Sequence, residues 1–385
     1  MHWNALSGAL PTQVGLLSVL EELDLSYNNF GGTLPTELFS LTSLKKLELS
    51  RAQRGGLSGD LPAFDALPAL EVLGLSSNDF KGTIPTSFLN GVSDKTKPIK
   101  VNLGYNRLEG IVPHHLDVFS TMVLNLEGNL ISDLPSMFCD NTFWMEGFVG
   151  EATFGCNAIL CPPGTWNKNG KETKSSLCLP CDESADVFGA TQCGNTETDA
   201  PPAAPTPPGS TPAPAPQQPK TETEILDMLF AATNGQDWTE KHDGWLVQDT
   251  PACDREGITC NDEGKVESLR LNRFGLNGQI PTEIFQLQAN RVLGFTDNNV
   301  DLRFDGIEQS IALETLLMSN TKLKSLDGLQ HATPTLKALH LARNDLDGSF
   351  PRSLLQLGGL HKLYMNQVST LVQYGLSMDD RGINF

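Results

Sequence analysis

Residues 20–35 read Leu20-Glu-Glu-Leu23-Asp-Leu25-Ser-Tyr-Asn28-Asn-Phe30-Gly-Gly32-Thr-Leu34-Pro35. On an extended strand, side chains alternate between faces, so Leu23 and Leu25 point one way and the residue between them the other. A polar Asn then turns the chain away from the strand, and its amide can satisfy backbone groups of neighbouring coils. Gly and Pro shape the return path. A single such unit cannot bury its own leucines, so it requires a copy of itself on each side.

Those copies are present. Leu44-Lys-Lys-Leu47-Glu-Leu49 follows 24 residues on. After a small insertion over 51–56 comes Leu70-Glu-Val-Leu73-Gly-Leu75-Ser-Ser-Asn78-Asp-Phe80-Lys-Gly82-Thr-Ile84-Pro85. Val101, Leu103, Asn106, Leu108, Gly110 and Pro113 make a fourth copy, and Leu124, Leu126, Asn129 and Pro135 a degenerate fifth. A second block holds Leu269, Leu271, Leu276, Gly278, Ile280 and Pro281, then Leu293, Phe295, Asn298 and Val300, then Leu313, Leu316, Met318 and Leu323. Its clearest copy is Leu336-Lys-Ala-Leu339-His-Leu341-Ala-Arg-Asn344-Asp-Leu346-Asp-Gly348-Ser-Phe350-Pro351, and a last start follows at Leu360, Leu363 and Met365.

The pattern resembles the plant-type leucine-rich repeat, LxxLxLxxNxLxGxIPxxL, over about two thirds of the chain. The resemblance implies an α/β solenoid: two repeat arcs with short parallel concave strands, and a disulfide-rich module and a Pro-rich linker between them. It assigns Asn28, Asn78, Asn106, Asn129, Asn298 and Asn344 to the scaffold. The expected organisation is a first block over 1–135, a Cys-rich cap or module over 136–198, a Pro-rich linker over 199–221, an N-terminal cap over 222–265, a second block over 266–369 and an irregular tail over 370–385.

Composition agrees with folded units. The 385 residues are 39% hydrophobic and 19% charged, with 24 Pro and 35 Gly for turns. A formal charge of -19 repels phosphate backbones and anionic membranes, so nucleic acid is not an expected partner. No apolar run is long enough to span a bilayer.

Six cysteines, Cys139, Cys156, Cys161, Cys178, Cys181 and Cys193, lie in one segment directly after the first block. An even, clustered set suits disulfides and an oxidising compartment, with fifteen pairings open. A Cys₄ zinc site from Cys156, Cys161, Cys178 and Cys181 is the weaker alternative, since it would leave two thiols over. Pro201 to Pro219 holds nine prolines in nineteen residues, a semi-rigid spacer. Beyond it, a helical stretch over 222–233, Trp238, Trp245 and the pair Cys253, Cys260 look like the N-terminal cap of plant-type repeat ectodomains. The resemblance implies that Cys253 and Cys260 are bonded; Arg255 stands where the family usually has Trp.

Asn4, Leu6, Gly8, Leu10 and Pro11 form half a repeat, so the chain reads as starting inside a coil and as ending without a cysteine cap. With no basic, apolar leader before Gly8 and no Asn-x-Ser/Thr sequon, the extracellular or cell-surface location rests on the cysteines and the resemblance, the missing signal peptide being ascribed to a truncated start.

There is no kinase glycine-rich loop, HRD or DFG. Gly164 to Lys171 misses the phosphate-loop spacing and has Glu172 where Ser or Thr is needed. Cys178 and Cys181 lack a thioredoxin-like setting. His114, His115, His340 and His361 fall in no triad or metal spacing. The expectation is a protein that is not an enzyme and needs no cofactor or metal.

Function then falls to the variable positions around the strand leucines: Glu21, Glu22, Asp24, Tyr27, Lys45, Lys46, Glu48, Arg51 and Tyr105 in the first block, with Arg270, Arg273, Lys337, His340, Arg343, His361, Lys362 and Tyr364 in the second. The first set is mixed in charge and the second tends basic. Repeat surfaces of this kind present large arrays for recognition, so a protein, peptide or glycan ligand is expected, with a co-receptor as a further partner. The rival readings are a structural or adhesive matrix protein, an inhibitor of secreted hydrolases, and an ectodomain fragment of a receptor-like kinase whose membrane helix and kinase lie outside this chain.

Overall fold

The computed structural model describes residues 4–151, 154–181, 187–193, 220–239, 244–247 and 250–366. The proline spacer and the tail over 370–385 lie outside them.

Each leucine pair builds a short strand on the inner side of the solenoid. In chain order these are β1 (Glu22–Asp24), β2 (Lys46–Glu48), β3 (Val72–Gly74), β4 (Ile99–Asn102), β5 (Met122–Asn125), β6 (Ile258–Cys260), β7 (Val266–Arg270), β8 (Val292–Gly294), β9 (Thr315–Leu317), β10 (Ala338–His340) and β11 (Lys362–Tyr364). They form one sheet in the order β5-β4-β3-β2-β1-β11-β10-β9-β8-β7-β6, parallel except for the β6–β7 hairpin at one edge. Leu23, Leu47, Leu73, Val101, Leu124, Leu269, Leu293, Leu316, Leu339 and Leu363 stack in register behind it and are buried.

The consensus asparagines act as expected of scaffold. Asn78 donates from Nδ2 to Leu49 O of the preceding coil and Leu75 O of its own, both at 3.0 Å, while its Oδ1 accepts from Leu57 N at 3.1 Å. Asn106, Asn129, Asn298 and Asn344 repeat the pattern. Each therefore satisfies three backbone groups that the coil geometry would leave unpaired in the core.

The solenoid with short parallel concave strands is the expected fold, but its arcs meet in a way their order along the chain conceals. They are not two bodies held by a linker. Strand β1 of the first arc pairs with β11 at the end of the second, aligning Glu22 with Lys362, Leu23 with Leu363 and Asp24 with Tyr364. One coil is built from both ends of the chain. Its strand is β11, and its return half is Asn4 onward, with Ala5 and Leu6 paired in parallel to Asp347 and Gly348. Asn4 is fully buried and takes the ladder position after Met365, donating to Leu341 O and Met365 O at 2.9 Å each. The half repeat at the start of the sequence is thus a completed coil in space.

It follows that the module and the cap, neighbours along the chain, sit at opposite ends of the sheet. The six cysteines pair sequentially, Cys139–Cys156, Cys161–Cys178 and Cys181–Cys193, so the four sulfurs of the alternative zinc set belong to three disulfides. The module seals the last coil of the first arc. Trp144 is buried against Phe138, with ring centroids 4.8 Å apart, and its Nε1 donates to Phe119 O at 2.8 Å. Gly128 N donates to Gly189 O and Phe188 N to Ile131 O, extending the coil's backbone bonding into the module.

At the other end, α1 (Glu222–Ala232) opens with a capping box, in which Glu224 N donates to Thr221 Oγ1 and Thr221 N to Glu224 Oε2. Its Ile225, Leu226 and Leu229 are buried, and Phe230, Trp238 and Trp245 pack with centroids 5.0 to 6.1 Å apart. The helix end lies so close to the first coil that a Cβ on Gly278 would meet Ala232 O at 2.3 Å, and Gly278 has φ +141°. Only glycine fits there. Cys253 and Cys260 are bonded. Arg255 is only 3% exposed, with its guanidinium 5.1 Å from the Trp245 ring centroid, so a flat buried cation packs against the indole of the cap.

Candidate functional site

Outward positions of the eleven strands line the concave face in rows, because residues one coil apart stand about 4.8 Å from each other along the sheet. The row preceding each strand is a chain of charges of alternating sign. Arg291 bridges Glu267 at 3.3 Å and Glu314 at 2.8 Å, and Lys337 meets Glu314 at 3.2 Å. Past the joint, Lys45 meets Glu21 at 2.7 Å and Lys97 meets Glu71 at 3.7 Å. His361 lies between the two stretches, its Nδ1 2.8 Å from Gly359 O. Glu21, Lys45, Lys337 and His361 thus belong to this edge.

The centre of the face is a polar cluster astride the joint. Glu22 pairs with Lys362 at 2.5 Å and accepts the Tyr364 hydroxyl. Burial pushes the Glu22 carboxyl up, but the hydrogen bonds of Lys362 and Tyr364 and the charges of Lys362 and Lys46 outweigh it and hold it below the usual value. Asp24 is wholly buried at a concave position: it accepts from Ser26 Oγ at 2.6 Å and N at 3.1 Å, from Lys46 Nζ at 3.2 Å and from Asn366 Nδ2 at 3.3 Å. Glu48, 2% exposed, lies across Gly74, where a Cβ would come within 1.7 Å of its Oε2. Asp24 and Glu48 therefore support the face from beneath and present little surface, although the strand alternation alone places them among outward residues.

Tyr364 stacks on His340, ring centroids 4.6 Å apart, with Lys46 Nζ 5.6 Å from the Tyr364 centroid. Burial, the bond to Glu22 and the charges of Glu22 and Asp24 raise the Tyr364 phenol, which stays protonated. Burial, then the nearby Lys362 charge, lower the His340 imidazole to about 4. At neutral pH the pair is an uncharged aromatic platform. Val292, Thr315, Leu317 and Ala338 continue it as a half-buried, mostly apolar strip toward the cap.

The remaining candidates do not join this cluster. Tyr27, Tyr105, Arg273 and Arg343 each precede the ladder Asn, or stand at that position, with φ between 55° and 64° at the strand exit. Arg273 pairs with Asp297 at 3.0 Å, Tyr105 donates to Lys168 O of the module at 3.4 Å, and Arg270 is exposed beside Ser268. Burial and the charges of Glu48 and Asp24 raise the Tyr27 phenol. The basic tendency expected of the second arc is largely neutralised, since Arg273, Lys337 and Lys362 each face an acid. Glu267, Arg291, Asp297 and Glu314 were missed as neighbours; the repeat spacing that placed Lys337 would have placed Glu314 and Arg291 in the same row.

The Leucine Rich Repeat family model matches residues 19–41 and 69–90. The consensus ladder continues beyond the matched residues in both arcs. The chain carries leucine-rich repeats of the plant-type pattern. It is similar to Pollen receptor-like kinase 2 of Arabidopsis thaliana, 32% identical over 163 residues that make up 37% of this chain and 24% of that one. It is also similar to Receptor protein-tyrosine kinase CEPR1 of the same plant, 36% identical over 129 residues, 32% of this chain and 13% of that one. This leucine-rich-repeat protein thus spans at most about a quarter of the length of these relatives. Among solved structures, the leucine-rich-repeat ectodomain of the Arabidopsis receptor kinase GASSHO1/SCHENGEN3, in complex with CASPARIAN STRIP INTEGRITY FACTOR 2, aligns over 94% of this chain and 32% of that chain at 21% identity, with a TM-score of 0.34. Among the described residues of the repeat protein, no helix is long and apolar enough to cross a membrane.

Proposed function

We propose that this protein is a non-catalytic recognition module, extracellular or at the cell surface, that holds a protein, peptide or glycan on its concave face. The observation that carries the reading is the cluster at the joint. Tyr364 and His340 offer an uncharged aromatic surface beside the exposed head of Lys362, with the apolar strip over Val292 to Ala338 continuing from it. A flat ring pair, a cation and an apolar lane suit an extended ligand with alternating apolar and acidic or hydroxyl groups. Four disulfides fit an oxidising compartment. The curated relatives are receptor kinases, so the proposal includes an ectodomain role within a longer receptor and a co-receptor as a further partner.

The test is a titration of the protein against panels of secreted peptides and wall glycans by calorimetry. Saturable binding to one of them, weakened at least tenfold by Tyr364→Ala with the urea midpoint tracked separately, supports recognition at this face. Failure of every panel member to saturate would leave the structural or adhesive reading in its place.

A further inference from the structure

The joint between the arcs is noncovalent, and among the described residues it carries the same kinds of contact as the other coil interfaces. Backbone bonds run from Glu21 N and Glu22 N to His361 O and from Met365 N to Asp24 O. Ala5 N donates to Leu346 O, and Asn28 Nδ2 donates to the same Met365 carbonyl that Asn4 uses. Phe30 and Phe350 meet behind the sheet with centroids 6.5 Å apart. None of the four disulfides crosses between arcs, because each pairs cysteines within the module or within the cap.

In sequence the two arcs are joined between Cys193, in the module at the β5 end of the sheet, and Lys220, in the cap at the other end, whose Nζ meets Glu283 at 2.7 Å. Eleven strands at about 4.8 Å put those edges roughly 48 Å apart along the sheet. Residues 194–219, at no more than ~3.5 Å each, reach roughly 90 Å. The connection therefore permits docking within one chain without dictating it, and the same two faces are available to an arc of another chain whenever the local concentration set by the tether is matched.

We propose that the β11 face of the second arc and the Asn4-to-Asp24 face of the first form an exchangeable interface whose alternative partner is a second copy of this chain, giving a reciprocally exchanged dimer. Every bond of the joint is reproduced in the exchanged form, since the docking faces are the same. The polar cluster is reproduced too, but each of the two then draws Glu22, Asp24 and Lys46 from one copy and His340, Lys362 and Tyr364 from the other. The proposal stands apart from the recognition reading and does not depend on any ligand.

The decisive experiment is deletion of residues 201–219 from the full chain, with mass measured by sedimentation and folding by circular dichroism. What remains between Cys193 and Lys220 reaches about 28 Å, too short for docking within one chain. The expected result is a folded protein at twice the mass of one chain, or at a whole-number multiple if arcs add head to tail, where the undeleted chain at the same concentration is a monomer. A folded deletion variant at the mass of one chain overturns the proposal. Should the deletion not fold, the full chain is made in two forms with different tags on the two arcs and a protease site in the tether. The forms are mixed, unfolded and refolded together at high concentration, and then cut. Recovery of first arcs of one form with second arcs of the other supports exchange, and arcs found only with their original partners overturn it.

Discussion

Asn4 Nδ2 and the carbonyl oxygen of Met365 meet at 2.9 Å across a sequence separation of 361 residues. That bond, with the Asn4 Oδ1 that accepts from Leu346 N at 3.3 Å, makes a ladder position out of a residue at the opposite end of the chain. Asn4→Ala leaves the buried Leu346 N–H without its acceptor, which costs about 1–3 kcal/mol. Its urea midpoint should fall about as far as that of Asn106→Ala, a ladder residue within an uninterrupted coil. If Asn106→Ala lowers the midpoint and Asn4→Ala does not, the split coil is not formed in solution.

Glu22 and Lys362 form the charged contact across the joint, and Lys362 is 43% exposed, so solvent screens the pair to about 1 kcal/mol or less. Glu22→Lys places a third cation beside Lys362 and Lys46 and should destabilise the joint, as should Lys362→Glu beside Asp24. The double exchange should recover part of the loss, with a coupling of about 0.5–1 kcal/mol in urea unfolding. Additive losses would mean the two side chains do not interact. Because the folded Glu22 carboxyl is held below its ordinary value, its contribution is present above the unfolded value of 4.5 and fades as pH falls through the folded one. Glu22→Gln should therefore remove part of the acid sensitivity below about pH 4.5.

His340 predicts a second dependence, in a higher range. Its folded imidazole titrates near 4 and its unfolded one near 6.5, so between those values the unfolded chain binds the extra proton. The stabilisation is fully present above 6.5 and is lost as pH falls toward 4, by at most about 3 kcal/mol. His340→Phe keeps the stack on Tyr364 and removes the proton site. Its urea midpoint should change less between pH 7 and pH 5 than that of the unsubstituted protein. Equal slopes would show that His340 is solvated rather than packed on Tyr364.

The repeat was legible because its signal is redundant: Leu23, Leu25, Asn28 and Gly32 recur together, and each has one steric job. Arc-to-arc docking was not legible, because nothing local distinguishes Leu363 stacked on Leu23 from Leu363 at a free end. The one pointer was that Asn4-x-Leu6-x-Gly8 and Leu360-x-x-Leu363-x-Met365 are complementary halves of the same consensus. Simple strand alternation places Asp24 and Glu48 on the surface; the burial of Asp24 follows from Lys46, Tyr364 and Asn366 one coil away, and Glu48 lies across Gly74 of the next coil. Sequence spacing could have paired Lys337 with Glu314, since both occupy the same repeat position.

Arg255 gives the sharpest test of the cap. Its Nε and Nη2 donate to Thr250 O at 3.2 and 3.0 Å, and Nη2 also meets Asp227 at 2.7 Å. Asp227 is 61% exposed, so the ion pair itself contributes little, and the larger part comes from the buried guanidinium packed on Trp245 and bonded to a backbone carbonyl. Arg255→Ala should cost about 2 kcal/mol through lost packing and an unpaired Thr250 carbonyl. Arg255→Trp restores an aromatic against Trp245 but not the donors, so its urea midpoint should fall between those of Arg255→Ala and the unsubstituted protein. Tryptophan fluorescence from Trp238 and Trp245 should report the same order. An Arg255→Trp protein no more stable than Arg255→Ala would mean that the carbonyl bonds, and not the stacking, hold this end of the solenoid.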